Sequence, residues 1–408
     1  MSKRTANKVP QIRFKGFSGT WIEKNVSEIC GETYGGGTPR TSERKFWEGE
    51  TAWIQSSDIP EGEIYKVVPR KYISDLALRK SPTKLVPENS IAIVTRVGVG
   101  KLALIEFSYA ASQDFLSLSK LKANPSFAVV ALSILLQSKL HETQGTSIKG
   151  ITKEELLAYS FNVPDTVSEQ QKIGGYFREV DRLIGLHQRK HDKLVTLKKA
   201  MLQKMFPQPG TTTPEIRFKG FSGDWVEKKL GDIATYKNGK GHEDRQSSRG
   251  KYELINLNSI SISGGLKHSG KFIDEADETL KEDDLVMILS DVAHGNLLGR
   301  VARIPENDRF VLNQRVALLR PWVSKYSTYL LYQINAHQSY FKLRGAGMSQ
   351  LNISKNVVTE FTLLTPTETE QQKIGTYFRT LDELISKHAT QLQKLTQIKS
   401  ACLEKMFV

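Results

Sequence analysis

Two mixed α/β (α+β) domains, each followed by one long helix, with the helices paired antiparallel as a coiled coil, make the fold class this sequence predicts. Three observations predict it. The stretch 10–24 returns at 214–228 with 12 of 15 positions identical, and 169–206 returns at 370–407 with 21 of 38 identical. One unit of roughly 200 residues is therefore written twice, a tandem duplication with pseudo-twofold character. The end of each unit carries apolar residues at a period near 3.5: Ile173, Tyr176, Val180, Leu183, Leu194, Leu197, Met201, then Ile374, Tyr377, Leu381, Leu384, Leu395, Ile398, Cys402. The middles instead hold short β-branched runs bounded by Gly, Pro, Asn and Ser, the pattern of strands.

In chain order, a basic tail (1–8) leads into a first domain over 9–166. Its runs 53–59 and 91–96 read as strands and match 254–260 and 285–290 of the second domain, 214–366. Glycine-bearing loops at 97–100 and 293–296 follow, each leading to another strand. One helix per domain shows in the spacing of Phe127, Val130, Ala131, Ile134 and Leu135, and of Tyr326, Tyr329, Leu330, Gln333, Ile334, His337, Tyr340 and Phe341. The order of the strands does not follow from these patterns. The spacer helices occupy 167–206 and 367–408, with Ser168 and Thr369 as N-caps. At 1.5 Å per residue each is a rod on the order of 57 Å long. Prolines and small polar residues make 207–213 a linker. His187 and His388 hold equivalent a positions at the middle of the seam. In an in-register antiparallel pair they would meet near the pseudo-twofold axis, as a polar registry device and not a metal site, since two histidines are a poor ligand set.

The 408 residues carry 58 Lys+Arg against 44 Asp+Glu, a net charge of +14, which points to an acidic partner, above all nucleic acid. Hydrophobic residues at 39% allow a buried core. No run of 18 apolar residues predicts a membrane-spanning helix, and the basic N-terminus leads into Pro10-Gln-Ile-Arg-Phe14 without the apolar stretch of a secretory signal. Two distant cysteines, Cys30 and Cys402, support neither a disulfide framework nor zinc, so a cytoplasmic setting is expected. Catalytic signatures are missing. Gly98-Val-Gly-Lys101 has the wrong spacing for a phosphate loop, and no Asn/Asp-Pro-Pro-Tyr stretch of an adenine methyltransferase occurs. Pro164-Asp165 with Glu169 and Lys172 opens a helix, unlike nuclease carboxylates on separate strands, and the second unit has Pro366-Thr367 there. The plainer reading is a capped helix start with solvated charges. No active site, metal or bound cofactor is expected.

A domain that reads duplex DNA needs cations for phosphates and amide or guanidinium groups for base edges, carried on protruding loops. The first domain offers Arg40, Arg44, Lys45, Gln55, Ser57, Arg96, Lys101, Thr146 and Lys149. The second offers Lys237, Lys240, Arg245, Arg249, Asn256, Asn258, Ser290, His294, Asn296, Arg344 and Ser349 at corresponding places. Any one of these is equally an ordinary solvated loop side chain. The collective pattern says more, because the framework is repeated while the candidate reading loops have changed.

These residues resemble the DNA specificity (S) subunit of type I restriction-modification systems, the HsdS family. The likeness rests on the domain-helix-domain-helix order, on the lead motif Arg13-Phe-Lys-Gly-Phe-Ser-Gly-Thr-Trp21 with its copy at 217–225, and on the junctions at 164–173 and 366–374. The resemblance implies two target recognition domains, each reading one half of an asymmetric bipartite site on double-stranded DNA. It also implies spacer helices that set the gap between half-sites. The implied partners are two modification (methyltransferase) subunits, which bind S-adenosylmethionine, and two restriction (motor/nuclease) subunits, which use ATP and Mg2+. A specificity subunit of a methylation-only or type II-like system is the alternative within that resemblance. A self-contained nuclease or methyltransferase, or a coiled-coil scaffold that reads no sequence, are alternatives of other classes.

Overall fold

The computed structural model describes residues 8–142, 150–292, 295–347 and 350–408. The chain divides into two compact units, one of residues 1–188 and 390–408, the other of 189–389. Each unit therefore takes the first half of one long helix and the second half of the other.

In the first unit the order is β1 (Ile22–Asn25), β2 (Cys30–Gly35), β3 (Thr51–Ile54), β4 (Lys71–Ile73), α1 (Asp75–Lys80), β5 (Ser90–Val94), β6 (Leu102–Ile105), β7 (Tyr109–Ala111), β8 (Phe115–Leu121), α2 (Pro125–Glu142), α3 (Lys153–Ala158) and β9 (Ser160–Val163). The long helix α4 (Val167–Lys204) follows. An antiparallel sheet runs β2-β8-β5-β6. A smaller one runs β4-β3-β7, with β3 and β7 parallel. A third pair, β1-β9, ties the entry of the domain to its exit. Both faces of the larger sheet are buried. Ile91, Ile93, Leu104 and Leu118 pack with Phe127 and Val130 of α2, while Ala92, Val94, Ala103 and Ile105 pack toward the small sheet. This explains the unbroken apolar run Ile91-Ala-Ile-Val94, since a strand covered on both sides has no polar face to alternate. Helix α2 is likewise buried all round, from Phe127 to Leu132 without a break.

The second unit repeats the plan with β10 (Val226–Lys229), β11 (Ala234–Asn238), β12 (Tyr252–Ile255), β13 (Phe272–Ile273), β14 (Leu285–Ile288), β15 (Ser290–Val292), β16 (Val301–Arg303), β17 (Phe310–Leu312), β18 (Val316–Pro321), α5 (Ser327–Ala336), α6 (Gln338–Leu343), β19 (Gln350–Asn352), α7 (Lys355–Thr359), β20 (Thr362–Thr365) and α8 (Glu368–Met406). Sheets β11-β18-β14-β16, β13-β12-β17 and β10-β20 match those of the first unit, and β15-β19 is an added antiparallel pair. The expectation of one helix per domain is thus too simple. Short helices α1, α3 and α7 are present, and the apolar spacing over 326–341 spans two helices that break at His337, whose Nδ1 lies 2.8 Å from the Gln333 carbonyl.

The long helices begin earlier than their expected caps. Thr166, not Ser168, precedes α4, its Oγ1 accepting the Glu169 N–H at 3.3 Å. Thr367 precedes α8, its carbonyl accepting the Gln371 N–H at 3.0 Å, so Thr369 lies in the first turn. Asp165 and Lys172 are exposed as expected, but Glu169 is not. Glu169 and Glu370 are buried, and each takes a bidentate pair from the lead motif at 2.7 and 2.8 Å: Arg13 in the first unit, Arg217 in the second. Each guanidinium also donates to two lead-loop carbonyls, Ser18 and Gly19 or Ser222 and Gly223. These carboxylates raise the Arg13 and Arg217 guanidinium groups above their ordinary value. A charge read as solvent-facing from one stretch of sequence is buried because its partner lies more than 150 positions away.

Both units show the helices running antiparallel. Tyr176 meets Cys402 at 3.4 Å and Asp181 meets Lys399 at 2.5 Å in one; Phe378 stacks on Phe206 and Asp382 meets Lys198 at 2.5 Å in the other. Numbers rise on one helix as they fall on its mate. The helix ends then enter the domain cores. Phe407 packs against Trp21, Phe127 and Phe177, and Phe206 against Trp225, Tyr329 and Phe378.

Candidate nucleic-acid interface

In the first domain, five chain segments converge. The turn after β3 is held by Asp58, which accepts the Gln55 N–H at 2.9 Å, and Gln55 Nε2 donates to Ser57 Oγ at 3.1 Å. The loop after Arg96 passes beside this turn at Gly98, and Lys101 Nζ donates to the Ile59 carbonyl at 3.4 Å. Thr95 anchors the next two segments, its N–H donating to the Asp114 carbonyl at 2.7 Å and its carbonyl accepting the Ile151 N–H at 2.8 Å. The fifth segment arrives at Gly36, where a Cβ would sit 1.8 Å from the Ser112 carbonyl, so only glycine fits. Arg40, Arg44 and Lys45 continue that segment and are exposed, with Arg44 paired to Glu48 at 2.8 Å. Arg96 is exposed as well. Thr146 and Lys149 lie outside the described residues.

The second domain converges in the same manner with different side chains. Gly239 stands in for Gly36, with the Asn313 carbonyl 1.8 Å from where a Cβ would be. The Leu289 N–H donates to the Arg315 carbonyl at 2.9 Å, as Thr95 does to Asp114. Asn256 caps its own turn through the Asn258 N–H at 2.8 Å, leaving the Asn258 side chain exposed. Lys237 is paired with Glu278 and holds that carboxyl below its ordinary value. Lys240 sits 3.8 Å from Asp277, and Arg245 and Arg249 are exposed on the following loop. Asn296 receives Lys342 at 3.4 Å, and the Arg344 guanidinium lies 3.8 Å over the Tyr340 ring. His294 and Ser349 lie outside the described residues.

One predicted contact is corrected. Ser290 is buried, at 2% exposure, and bonded to Asn352 and Gln350, so it joins β15 to β19 and offers nothing to a duplex. Sequence reasoning also missed the tight turns between β7 and β8 and between β17 and β18. They present Gln113 and Asp114 in one domain, Gln314 and Arg315 in the other. The signal was available: Gln113 and Gln314 are equivalent at the 201-residue offset within otherwise drifted sequence. His187 and His388, the expected registry pair, each lie one residue before the chain passes from one compact unit to the other. Among the described residues, no three His, Cys, Asp or Glu gather as a metal site, and no helix is long and apolar enough to cross a membrane.

A scaffold built twice, presenting different polar side chains at the same converging turns, defines a two-headed reader of a hydrogen-bonding surface. Comparison with known proteins agrees. The model of the type I restriction modification DNA specificity domain matches residues 19–196 and 222–397. The chain is 23% identical to the type I restriction enzyme MjaIX specificity subunit of Methanocaldococcus jannaschii, over 95% of this chain and 92% of that one. It is 31% identical to the EcoR124I/EcoR124II specificity subunit of Escherichia coli over 42% of this chain and 43% of that one. Its fold matches a crystal structure of the type I restriction-modification S subunit from M. genitalium with a TM-score of 0.68 at 17% identity, over 98% and 99% of the two chains. This chain belongs to the type I restriction-modification DNA specificity family.

Proposed function

We propose that this chain is the non-catalytic recognition subunit of a type I restriction-modification complex, each domain reading one half of an asymmetric bipartite DNA site. The observation that carries this is the duplicated framework with altered turns: Gly36 and Gly239 make the same backbone approach, while the equivalent turn positions Asp114 and Arg315 carry opposite charge. In this reading the spacer helices set the unspecified gap, and half-sites about one helical turn (~34 Å) apart lie on one side of the duplex. The excess of +14 supplies salt-sensitive phosphate attraction, and the turns supply selection. Two modification subunits bearing S-adenosylmethionine and two restriction subunits using ATP and Mg2+ would carry the chemistry, with this chain positioning them.

The test is co-expression with the cognate modification subunit, followed by mapping of methylated adenines across a genome. A single bipartite motif with a fixed gap is expected. Replacing residues 9–166 with a homologous domain should then change one half-site alone, and a change in both halves counts against modular reading.

A further inference from the structure

The second domain contains a concave site of about 350 Å³ lined by Glu243, Asn256, Leu257, Asn258, Asn313, Gln314 and Arg315. Six of these seven side chains are polar, and both hydrogen-bonding roles are represented. Asn256 Oδ1 is used by the Asn258 N–H at 2.8 Å, which leaves the Asn256 amide nitrogen as a donor. Asn313 Oδ1 accepts the Gln314 N–H at 2.9 Å, and the Gln314 amide donates to Glu243, leaving its carbonyl oxygen as an acceptor. Arg315 is exposed, and among the described residues its guanidinium makes no hydrogen bond, ion pair or ring contact.

Its backbone adds a second, independent observation. Arg315 has φ +66°, a left-handed conformation that glycine, asparagine and aspartate tolerate far better. Of the five described non-glycine residues with positive φ, three are Asn or Asp, and Lys120 is held by its pair with Glu32. Arg315 alone carries a long cationic side chain there with no partner to show for it. Strain of this kind persists where the surrounding structure imposes it, and it clusters at binding sites.

We infer that this concavity is a base-edge site, in which the Arg315 guanidinium takes the O6 and N7 acceptors of a guanine in the major groove. This rests on the recognition reading above and names the chemistry of one of its contacts. The choice of a base edge over a phosphate follows from the lining. A phosphate offers acceptors only and would be repelled by Glu243, whereas a base pair shows donors and acceptors side by side, matching arginine with Gln314, Asn258 and Glu243 around it. The first domain places Asp114 at the equivalent turn, an acceptor already receiving Ser112 Oγ at 3.2 Å, so this guanine contact belongs to the second half-site alone.

The experiment measures binding of the complex of this chain with its modification subunit to duplexes carrying the mapped site, each guanine replaced in turn by 7-deazaguanine. One replacement, confined to one half-site, should weaken binding by roughly 10- to 100-fold, the range of a bidentate base contact. Arg315→Gly should abolish sensitivity to that replacement while raising thermal stability, because glycine relieves the left-handed backbone. Arg315→Lys should keep the salt dependence of binding and weaken the guanine preference without removing it, since an ammonium can still donate to O6 and N7 but lacks the planar fork. If Arg315→Gly still senses every 7-deazaguanine as the unaltered complex does, while binding its site specifically, the inference is overturned and the recognition reading stands. If the unaltered complex binds all duplexes equally, both fall.

Discussion

The two domains agree at the ion pair that joins each lead motif to its long helix and differ at the turns that meet solvent. Arg13 with Glu169 and Arg217 with Glu370 repeat the same bidentate pair, to 0.1 Å and against the same loop carbonyls, although the intervening middles have drifted. The turns that present Asp114 and Arg315 keep the same backbone approach at Gly36 and Gly239 and the same exposed glutamine, Gln113 or Gln314, yet exchange an acidic residue for a basic one beside it. Losing one member of this ion pair would strand the other, and both copies retain it. A turn residue in water can change freely once the backbone beneath it is fixed.

The comparison can be broken most severely at those ion pairs. Glu169→Ala leaves Arg13 without its partner in a mostly buried site, and a loss of about 3 kcal/mol is expected, matched by Glu370→Ala in the other unit. Chemical denaturation of the full chain checks this, and losses differing by more than about 1 kcal/mol would show that the frames are not energetically equivalent. Phe206→Ala opens a cavity among Trp225, Tyr329 and Phe378 and should cost a similar ~3 kcal/mol. Its loss belongs to the second unit, which limited proteolysis can localise.

Helix packing sharpens the comparison on a smaller scale. A Cβ on Gly174 would lie 2.5 Å from the Phe127 backbone nitrogen, whereas one on Gly375 would lie 3.1 Å from that of Tyr329. Gly174→Ala should therefore destabilise by about 1 to 3 kcal/mol and Gly375→Ala by less, readable as a difference in Tm. The smallest effect concerns Asp181 and Asp382, equivalent carboxylates paired with Lys399 and Lys198. Asp382 also accepts the Tyr332 hydroxyl at 2.7 Å, but the second oxygen of Asp181 is buried without a partner. Burial pushes the Asp181 carboxyl up despite Lys399. A carboxyl whose folded value is raised stabilises the fold at low pH, and that contribution is lost as pH climbs from the ordinary value of about 3.9 to the raised one. Asp181→Asn should flatten this part of the stability-pH curve, as followed by chemical denaturation across that pH range.

Much of this architecture was legible because duplication prints the same helix twice. The heptads over 173–201 and 374–402 and the lead motif at 13–21 needed no structure to find. Strand order was not legible, since β3 pairs with β7 and β5 with β8, partners fixed by tertiary packing with no local signature. Glu169 was misread because its partner is distant, yet the repeated arginines at 13 and 217 held the clue. Ser290 closes the strand run read over 285–290 and stood among the candidate contacts, and only the pairing of β15 with β19 shows its side chain engaged inside the domain. Arg315 was overlooked because the turn it occupies looks like any connection between two strands.

The seating of Phe407 among Trp21, Phe127 and Phe177 bears on the order of synthesis. The first domain's strands end at Val163, but the ring that finishes its core is made 244 positions later. At about 5 to 20 residues per second, roughly 12 to 50 seconds separate the two events. The second domain has Phe206 in hand before its own strands are made. The domain translated first is thus the last to close, and it spends that interval with an aromatic pocket open to whatever chaperone or neighbour is near.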